Sequence, residues 1–424
     1  MQYWLVLAAA LSLAAPLDSQ PTPAGGSPGG EPLDFVASFA AAATPIAAPA
    51  ASSAPPQAAT DRWLLMQALQ GTWEGSLLDE NRLSLTGWID ASFTASSDRN
   101  TNLPMGFNYL PNQFAIQQNW IRFDRSVVTS DTTEPTFGFR SDWILPGIDY
   151  RFTVARGLFS DQLTANHGQP DTYGIDPIQF YGEAYFPTVA QGMDVKVGRF
   201  FALYGIETVD AISNLFLSHS YTDIYDPYTH TGIVTTTKLS DAWTVQAGLV
   251  LGSDVFIDPA DTPTFIGSVK WTGAQQRDTV LFNVILGSGR FNQGQDFHNP
   301  EVFDLIYTRK LNDRLTYNFE SLFGFTTNVP AIGTAEWFGI LNYLTYQLTP
   351  RLASSARLEF FDDVQGQRTG FPGLYTELTA GFSFQPIKGI TFRPEVRYDN
   401  QDESAPFEGK HWLVTASTDM IIRW

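Results

Sequence analysis

The sequence predicts an all-β chain, a transmembrane antiparallel up-and-down β-barrel of about 16 to 18 strands, the size range that leaves room for an aqueous lumen. Three observations carry this. Residues 410–424 (KHWLVTASTDMIIRW) alternate in character and end on Trp424. The same period of two recurs from Leu83 to the last residue, as one lipid face and one watery face require. Short turns also alternate with long polar links, the asymmetry of a barrel whose two rims face different compartments.

The first elements are not barrel. Residues 1–20 read as a signal-peptide-like segment, because residues 4–15 (WLVLAAALSLAA) form an apolar run too short for a comfortable helical span. No basic residue precedes that run and no clean cleavage site stands out. Residues 21–60 are dominated by Ala, Pro, Gly and Ser without core periodicity, which predicts a disordered linker. Residues 61–82 predict a short helix or plug: DRWLLMQAL is amphipathic, with Asp61 near its start and Gly71 beyond its end. The barrel is assigned to residues 83–424.

Within it the alternation is explicit. Leu83, Leu85, Ile89, Ala91 and Phe93 oppose Ser84, Thr86, Asp90 and Ser92; Phe137, Phe139, Trp143 and Leu145 oppose Arg140 and Asp142. Leu315, Tyr317, Phe319, Phe323 and Phe325 oppose Thr316, Asn318 and Glu320, and the pattern repeats through the segments carrying Arg357 and Glu359, Glu377, and Arg393, Glu395 and Arg397. Pro394 is a cost there, since proline removes a ladder donor. In the closing segment Trp412, Val414, Ala416, Met420, Ile422 and Trp424 oppose Thr415, Ser417, Asp419 and Arg423, with Leu413 and Ile421 on the polar face as exceptions.

Tight links are predicted at Pro146-Gly147, Ser240-Asp241, Asn312-Asp313, Thr349-Pro350 and residues 386–389. Longer ones fall at 157–177, 252–263, 288–300, 326–334, 362–372 and 400–409. The pattern yields about seventeen strands where a single-chain bacterial barrel has an even number. The ambiguity is placed near the start, where residues 100–112 are long for a turn and residues 114–125 (FAIQQNWIRFDR) alternate poorly.

Composition narrows the function classes. Charged residues are 16% of the chain, below the ~25% of ordinary soluble proteins. Aromatic residues reach 14%, which fits interfacial girdles. Cysteine is absent, removing disulfides, thiolate metal sites and cysteine nucleophiles. A net charge of -19 argues against nucleic-acid partners, whose phosphates need a basic surface. None of the histidines (His167, His219, His230, His298, His411) sits in a G-x-S-x-G or H-E-x-x-H setting, so the chain reads as no enzyme. Residues 254–261 (DVFIDPAD) lack EF-hand spacing, and Gly287 and Gly289 open no helix. No cofactor and no metal are predicted.

Residues 195–233 hold the most distinctive text: VKVGRF, then YG-E-VDA, SNLF-SHSY and THTG, supported upstream by NWIRFDR at 119–125 and DYRFTVAR at 149–156. This text resembles the OmpL-like outer-membrane β-barrel porin family over roughly residues 83–424. The resemblance implies a transmembrane barrel acting as a porin, without catalysis or a fixed substrate.

Two residue sets are candidate site residues. Residues 202–228 form the longest connection between good strands and carry Glu207, Asp210, His219, Tyr221, Asp223, Tyr225 and Asp226. Folded into the lumen, they would set pore width and ion preference. Packed on the wall, they would leave His219 and His230 bonded to backbone. The second set is the inward charges Arg140, Asp142, Glu320, Arg357, Glu359, Glu377, Arg393, Glu395 and Arg397, which either create a transverse field or pair with one another. The expectation is therefore a porin of the bacterial outer membrane, passing small hydrophilic solutes or ions. Its alternatives are a surface anchor or adhesin with an occluded lumen and, less favoured, a secreted soluble β-protein. Membrane lipid is the predicted partner, together with the barrel-insertion machinery, for which Trp424 would be the assembly signal. A homo-oligomer is left open.

Overall fold

The computed structural model describes residues 62–257, 263–287 and 300–424. The signal-like and linker segments (1–20 and 21–60), Asp61, His298 and parts of the 252–263 and 288–300 links lie outside the described residues.

One antiparallel sheet accounts for nearly all of the structure. Its first strands are β1 (Leu83–Ser96), β2 (Gln113–Arg125), β3 (Thr136–Gly147), β4 (Gly174–Phe186), β5 (Met193–Phe201) and β6 (Thr229–Lys238). Next come β7 (Trp243–Val250), β8 (Thr264–Thr272), β9 (Asp278–Leu286), β10 (Glu301–Lys310), β11 (Leu315–Val329) and β12 (Gly333–Thr349). The last are β13 (Leu352–Asp363), β14 (Gly373–Ile387), β15 (Ile390–Phe392), β16 (Glu395–Gln401) and β17 (Trp412–Arg423). Successive strands pair, except β15 with β16, and β1 also pairs with β17, which closes the cylinder. Closure satisfies every edge, the condition for strands to cross lipid.

The seventeen strand segments of the structure make an even wall, because one stave is broken at Pro394. Both β15 and β16 lie between β14 and β17, so they are two halves of one stave and the wall is 16-stranded. Pro394 has no N–H to give the ladder, yet its carbonyl still accepts from the Phe382 N–H at 3.0 Å. The start of the barrel, where the sequence placed the ambiguity, is regular. Strand β2 pairs with β1 along its length, and its poor alternation is a β-bulge opposite Asp90/Ala91 that turns both Gln117 and Gln118 inward.

Two expected connections are corrected. Pro146-Gly147 is not a tight turn joining two strands. It ends β3, and the following residues fold into the short helix Tyr150–Thr153 and the 3-10 turn Ser160–Leu163 before β4. DYRFTVAR therefore lies in a long loop. The 326–334 link is short, because β11 and β12 extend to Val329 and Gly333. The remaining asymmetry holds: links such as 239–242, 311–314, 350–351 and 388–389 are tight and share a rim with both ends of the barrel, while 97–112, 148–173 and 202–228 are long and leave the opposite rim.

The outer face is apolar and exposed, as in Ile89, Val197, Leu249, Phe282, Leu358, Leu378 and Val396. Large rings flank it at both ends, with Phe114 and Trp412 toward the long loops and Trp243, Tyr346 and Phe384 toward the tight turns. At the terminal rim the helix Leu64–Ala68 packs Met66 against β1, and the Arg423 guanidinium lies 3.6 Å over Trp63. The Trp424 N–H and carbonyl both bond Gly87, at 2.9 and 3.0 Å. A Cβ on Gly87 would meet the Trp120 carbonyl at 2.1 Å and the Trp424 ring at 2.5 Å, so only glycine lets the last residue seal this seam.

Leu413 and Ile421, the exceptions in the closing strand, now have a reason. Leu413 belongs to the buried apolar cluster that holds Phe407, Tyr221 and Tyr375, and Ile421 to the one that holds Trp88, Trp120 and Val209. The lumen is not all water there, because inward loops bring apolar side chains to meet them.

Candidate functional site: the inward loop and its charge anchors

The connection from β5 to β6 starts as a hairpin, with the Ala202 N–H bonded to the Tyr228 carbonyl at 2.9 Å. Beyond that pinch it turns into the lumen and is almost wholly buried. Local rules shape it: a 3-10 turn covers Ala211–Ser213, and Ser220 caps the helix Tyr221–Ile224 by accepting from the Asp223 N–H at 3.2 Å.

Carboxylates on the far wall hold the loop backbone. Glu359 accepts from the N–H groups of Tyr221 and Thr222 at 2.7 and 2.6 Å, Glu395 from those of Leu217 and Ser218 at 2.9 and 3.1 Å, and Glu320 from that of Ile206 at 2.9 Å. Arginines hold its carbonyls. Arg357 donates to Ser218 O at 2.7 Å, Arg397 to His219 O at 2.5 Å, and Arg393 to the carbonyls of Ala211 and Asn214, each at 2.8 Å. These are charge-assisted bonds in a dry setting, stronger than neutral ones.

Side chains add a second layer. Arg357 is fully buried between Glu207 of the loop, at 2.6 Å, and Glu377 of β14, at 3.0 Å. Glu207 also accepts from the Tyr343 hydroxyl and from the Ser220 N–H at 2.7 Å. Arg397 pairs with Asp399 at 2.7 Å, which accepts from the Tyr221 hydroxyl at 2.9 Å; Arg393 pairs with Asp419. His219 Nδ1 lies 2.7 Å from Asp223, and its ring stacks on Phe107 of the 97–112 loop at 4.0 Å. His230, by contrast, bonds the Gly252 carbonyl.

Arg140 and Asp142 do not join this network. Asp142 is bound by Arg122 at 2.9 Å and by Gln179 at 2.9 Å, while Arg140 stands in register with Asp124 on β2. Asp210 meets Thr208, Ser213 at 3.1 Å and, at 3.9 Å, Arg122. Asp226 is buried with neither carboxylate oxygen hydrogen-bonded among the described residues. The expected inward charges all face inward, yet their partners were not visible in sequence. Tyr343, Asp399, Asp419 and Gln118 enter only through strand register and loop path.

The loop's titrating groups have definite directions. Burial alone would raise Glu207, but the Arg357 guanidinium and His219 hold it down at about 2. Burial would lower His219, and the Asp223 carboxylate reverses this and raises it. Glu207 therefore stabilises the docked loop fully above its ordinary value of 4.5, and that contribution is lost as pH falls toward 2. His219 contributes below its ordinary 6.5, and its contribution is lost as pH rises through its raised value. Acidification from 4.5 toward 2 is expected to raise channel conductance in a planar bilayer, with the step missing in Glu207→Gln. A flat conductance through that range would show that Glu207 does not hold the loop.

A lipid-facing belt, both ends of the wall on one rim and a long loop turned into the lumen together define a channel-forming barrel of the bacterial outer membrane. Two solved structures share the fold. The outer membrane channel DcaP of Acinetobacter baumannii is similar at 12% identity and a TM-score of 0.52, over 81% of this chain and 97% of that one. The anion-selective porin from Comamonas acidovorans is similar at 8% identity and a TM-score of 0.52, over 81% and 99%. No match is found among curated protein sequences. The chain belongs to the family described as "Putative beta-barrel porin-2, OmpL-like", which matches residues 82–423. It is an outer-membrane porin, a passive channel.

Proposed function

We propose that the chain passes small hydrophilic solutes or ions through a lumen narrowed by residues 202–228, and that this loop sets the width and charge preference of the passage. The observation that carries this is the Arg357 bridge, at 2.6 Å to the loop's Glu207 and 3.0 Å to Glu377 on the opposite wall. It fixes the loop across the lumen instead of at the rim. The inward charges then act as paired anchors more than as free walls of a transverse field, because Arg357, Arg393 and Arg397 each have a carboxylate partner. Ion selectivity measured by reversal potential in asymmetric KCl tests the charge preference. A Glu207→Gln protein with unaltered selectivity and conductance would remove the loop from that role.

One observation favours the second reading, a surface anchor with an occluded lumen: Arg357, Glu359, Glu377 and Arg397 are fully buried, so solvent does not reach this stretch of wall. Persistent electrical silence of the folded protein would support it.

The finer partners follow the same reading. Trp424 seals the β1–β17 seam and serves as the aromatic end that the insertion machinery reads. Replacement by Asp is expected to reduce outer-membrane assembly sharply, scored by the heat-modifiable fraction in outer-membrane preparations. Full assembly of Trp424→Asp would end the signal role while leaving the barrel intact. Association into homo-oligomers is compatible with the exposed apolar wall.

A further inference from the structure

The tight-turn mouth of the lumen carries lysine on one side. Cross-strand partners share a face of the sheet, and the row Lys238, Thr244, Lys270, Leu281, Ile306 crosses β6 to β10. Leu281 and Ile306 belong to the buried cluster that holds the loop residues Ile206, Leu215 and Phe216, so this row faces the lumen. Lys310 lies four residues beyond Ile306 on β10 and therefore points the same way. All three lysines sit at the tight-turn end: Lys238 and Lys310 close β6 and β10, and Lys270 is two residues from the end of β8. Each is half-buried, so ions in the mouth reach them.

The carboxylates around this mouth do not match them in number or position. On β6 to β10 the acid nearest this end is Asp278, in register with Arg309 on the lipid side, 3.7 Å from it and accepting from the Tyr307 hydroxyl at 2.7 Å. Asp304 faces the lumen six residues nearer the long loops. Lys238 has Asp241 of the adjoining turn at 2.8 Å and Asp194 diagonally across β5 and β6, so the excess lies toward β8 and β10. The row from Lys310 continues through Thr316, Thr345, Ser355 and Gly381, all neutral, to Glu395, which the loop N–H groups of Leu217 and Ser218 cover. The inward acids of β2 to β4 meet cations of their own: Asp142 with Arg122 at 2.9 Å, Glu183 with Lys196 at 3.6 Å, and Asp124 in register with Arg140.

We infer that the lysine sector of Lys238, Lys270 and Lys310 concentrates anions at the tight-turn mouth and makes the channel's current directional. This rests on the conducting lumen proposed above. A cluster of one sign of charge at a cleft raises the local concentration of the opposite ion. When the long-loop side is positive, the field drives anions in through the mouth that gathers them, and the lumen fills with carriers. When the field is reversed, cations must enter through the lysines that repel them, and the lumen is depleted. The anionic solute is thus selected at the end of the pore opposite the inward loop.

Current–voltage curves of the full chain in planar bilayers test this, in KCl at about 0.1 M, where charges act over about 10 Å, and at about 1 M, where they act over about 3 Å. The chain has no cysteine, so Lys270→Cys offers a single thiol, and a membrane-impermeant methanethiosulfonate added to each chamber in turn shows which way the mouth faces. At low salt the current with the long-loop side positive should exceed the reverse current about threefold, the factor that a local potential of about one kT gives. The ratio should fall toward one at high salt and in the double variant Lys270→Gln, Lys310→Gln. On Lys270→Cys a positively charged reagent should restore the ratio and a negatively charged one lower it further, which keeps the test open should the double variant not fold. A symmetric curve in the conducting wild-type protein, or a ratio indifferent to these changes, overturns the inference and leaves the pore reading intact. Electrical silence removes both.

Discussion

Deletion of residues 213–226 is expected to raise single-channel conductance several-fold. The segment supplies the N–H groups of Leu217, Ser218, Tyr221 and Thr222 that cover Glu395 and Glu359, and the carbonyls that cover Arg357 and Arg397. Without it those side chains face an open lumen, and water replaces the loop. The barrel should survive, because β5 and β6 pair in register from Met193↔Thr237 to Phe201↔Thr229 without help from the loop. Single-channel recording in planar bilayers, on protein whose heat-modifiable mobility shows a closed barrel, gives the answer. Unchanged conductance in a folded deletion protein would mean that the loop does not constrict.

Arg357→Ala should be the most damaging single substitution in the lumen. It takes the nearest guanidinium from two buried carboxylates, Glu207 and Glu377, and breaking a buried pair from one side costs about 3–5 kcal/mol. The loop also loses its anchor at Ser218, so conductance should rise as stability falls. Urea unfolding in lipid vesicles measures the stability. Because the penalty comes from the stranded charge, Glu207→Gln in the same chain should recover part of it, giving a clearly non-additive cycle. Additive losses would show that the two residues do not act as a pair.

Much of the architecture is legible in the sequence. The period of two, the aromatic excess and the turn asymmetry follow from one physical demand, a wall with lipid on one side, and each residue reports its own face. The errors share a cause as well. Gln117 and Gln118 broke the alternation because of a bulge, whose presence depends on the partner strand. DYRFTVAR alternates well enough for a strand but folds as helix and loop, since the end of β3 takes its last pairings with Gly174 and Asp176 of β4. The sequence count came out odd because it placed a strand after Pro146-Gly147, where the chain folds as helix and loop; residues 390–399, read as one strand, are one stave broken at Pro394.

The site divided along the same line. Inward orientation of Arg357, Glu359, Glu377, Arg393, Glu395 and Arg397 could be read from the dyad. Their partners could not, because Arg357 and Glu207 are 150 residues apart and meet only when the barrel closes and the loop descends. By itself the sequence determined a lipid-spanning barrel, its sidedness, its inward charges and the longest loop, all of them local or periodic properties. The tertiary structure alone decided that the loop crosses the lumen, that three arginines are neutralised there, and that Lys238, Lys270 and Lys310 gather on one side of the tight-turn mouth. Those facts depend on which strands become neighbours, and strand pairing is a long-range choice that no single stretch of chain encodes.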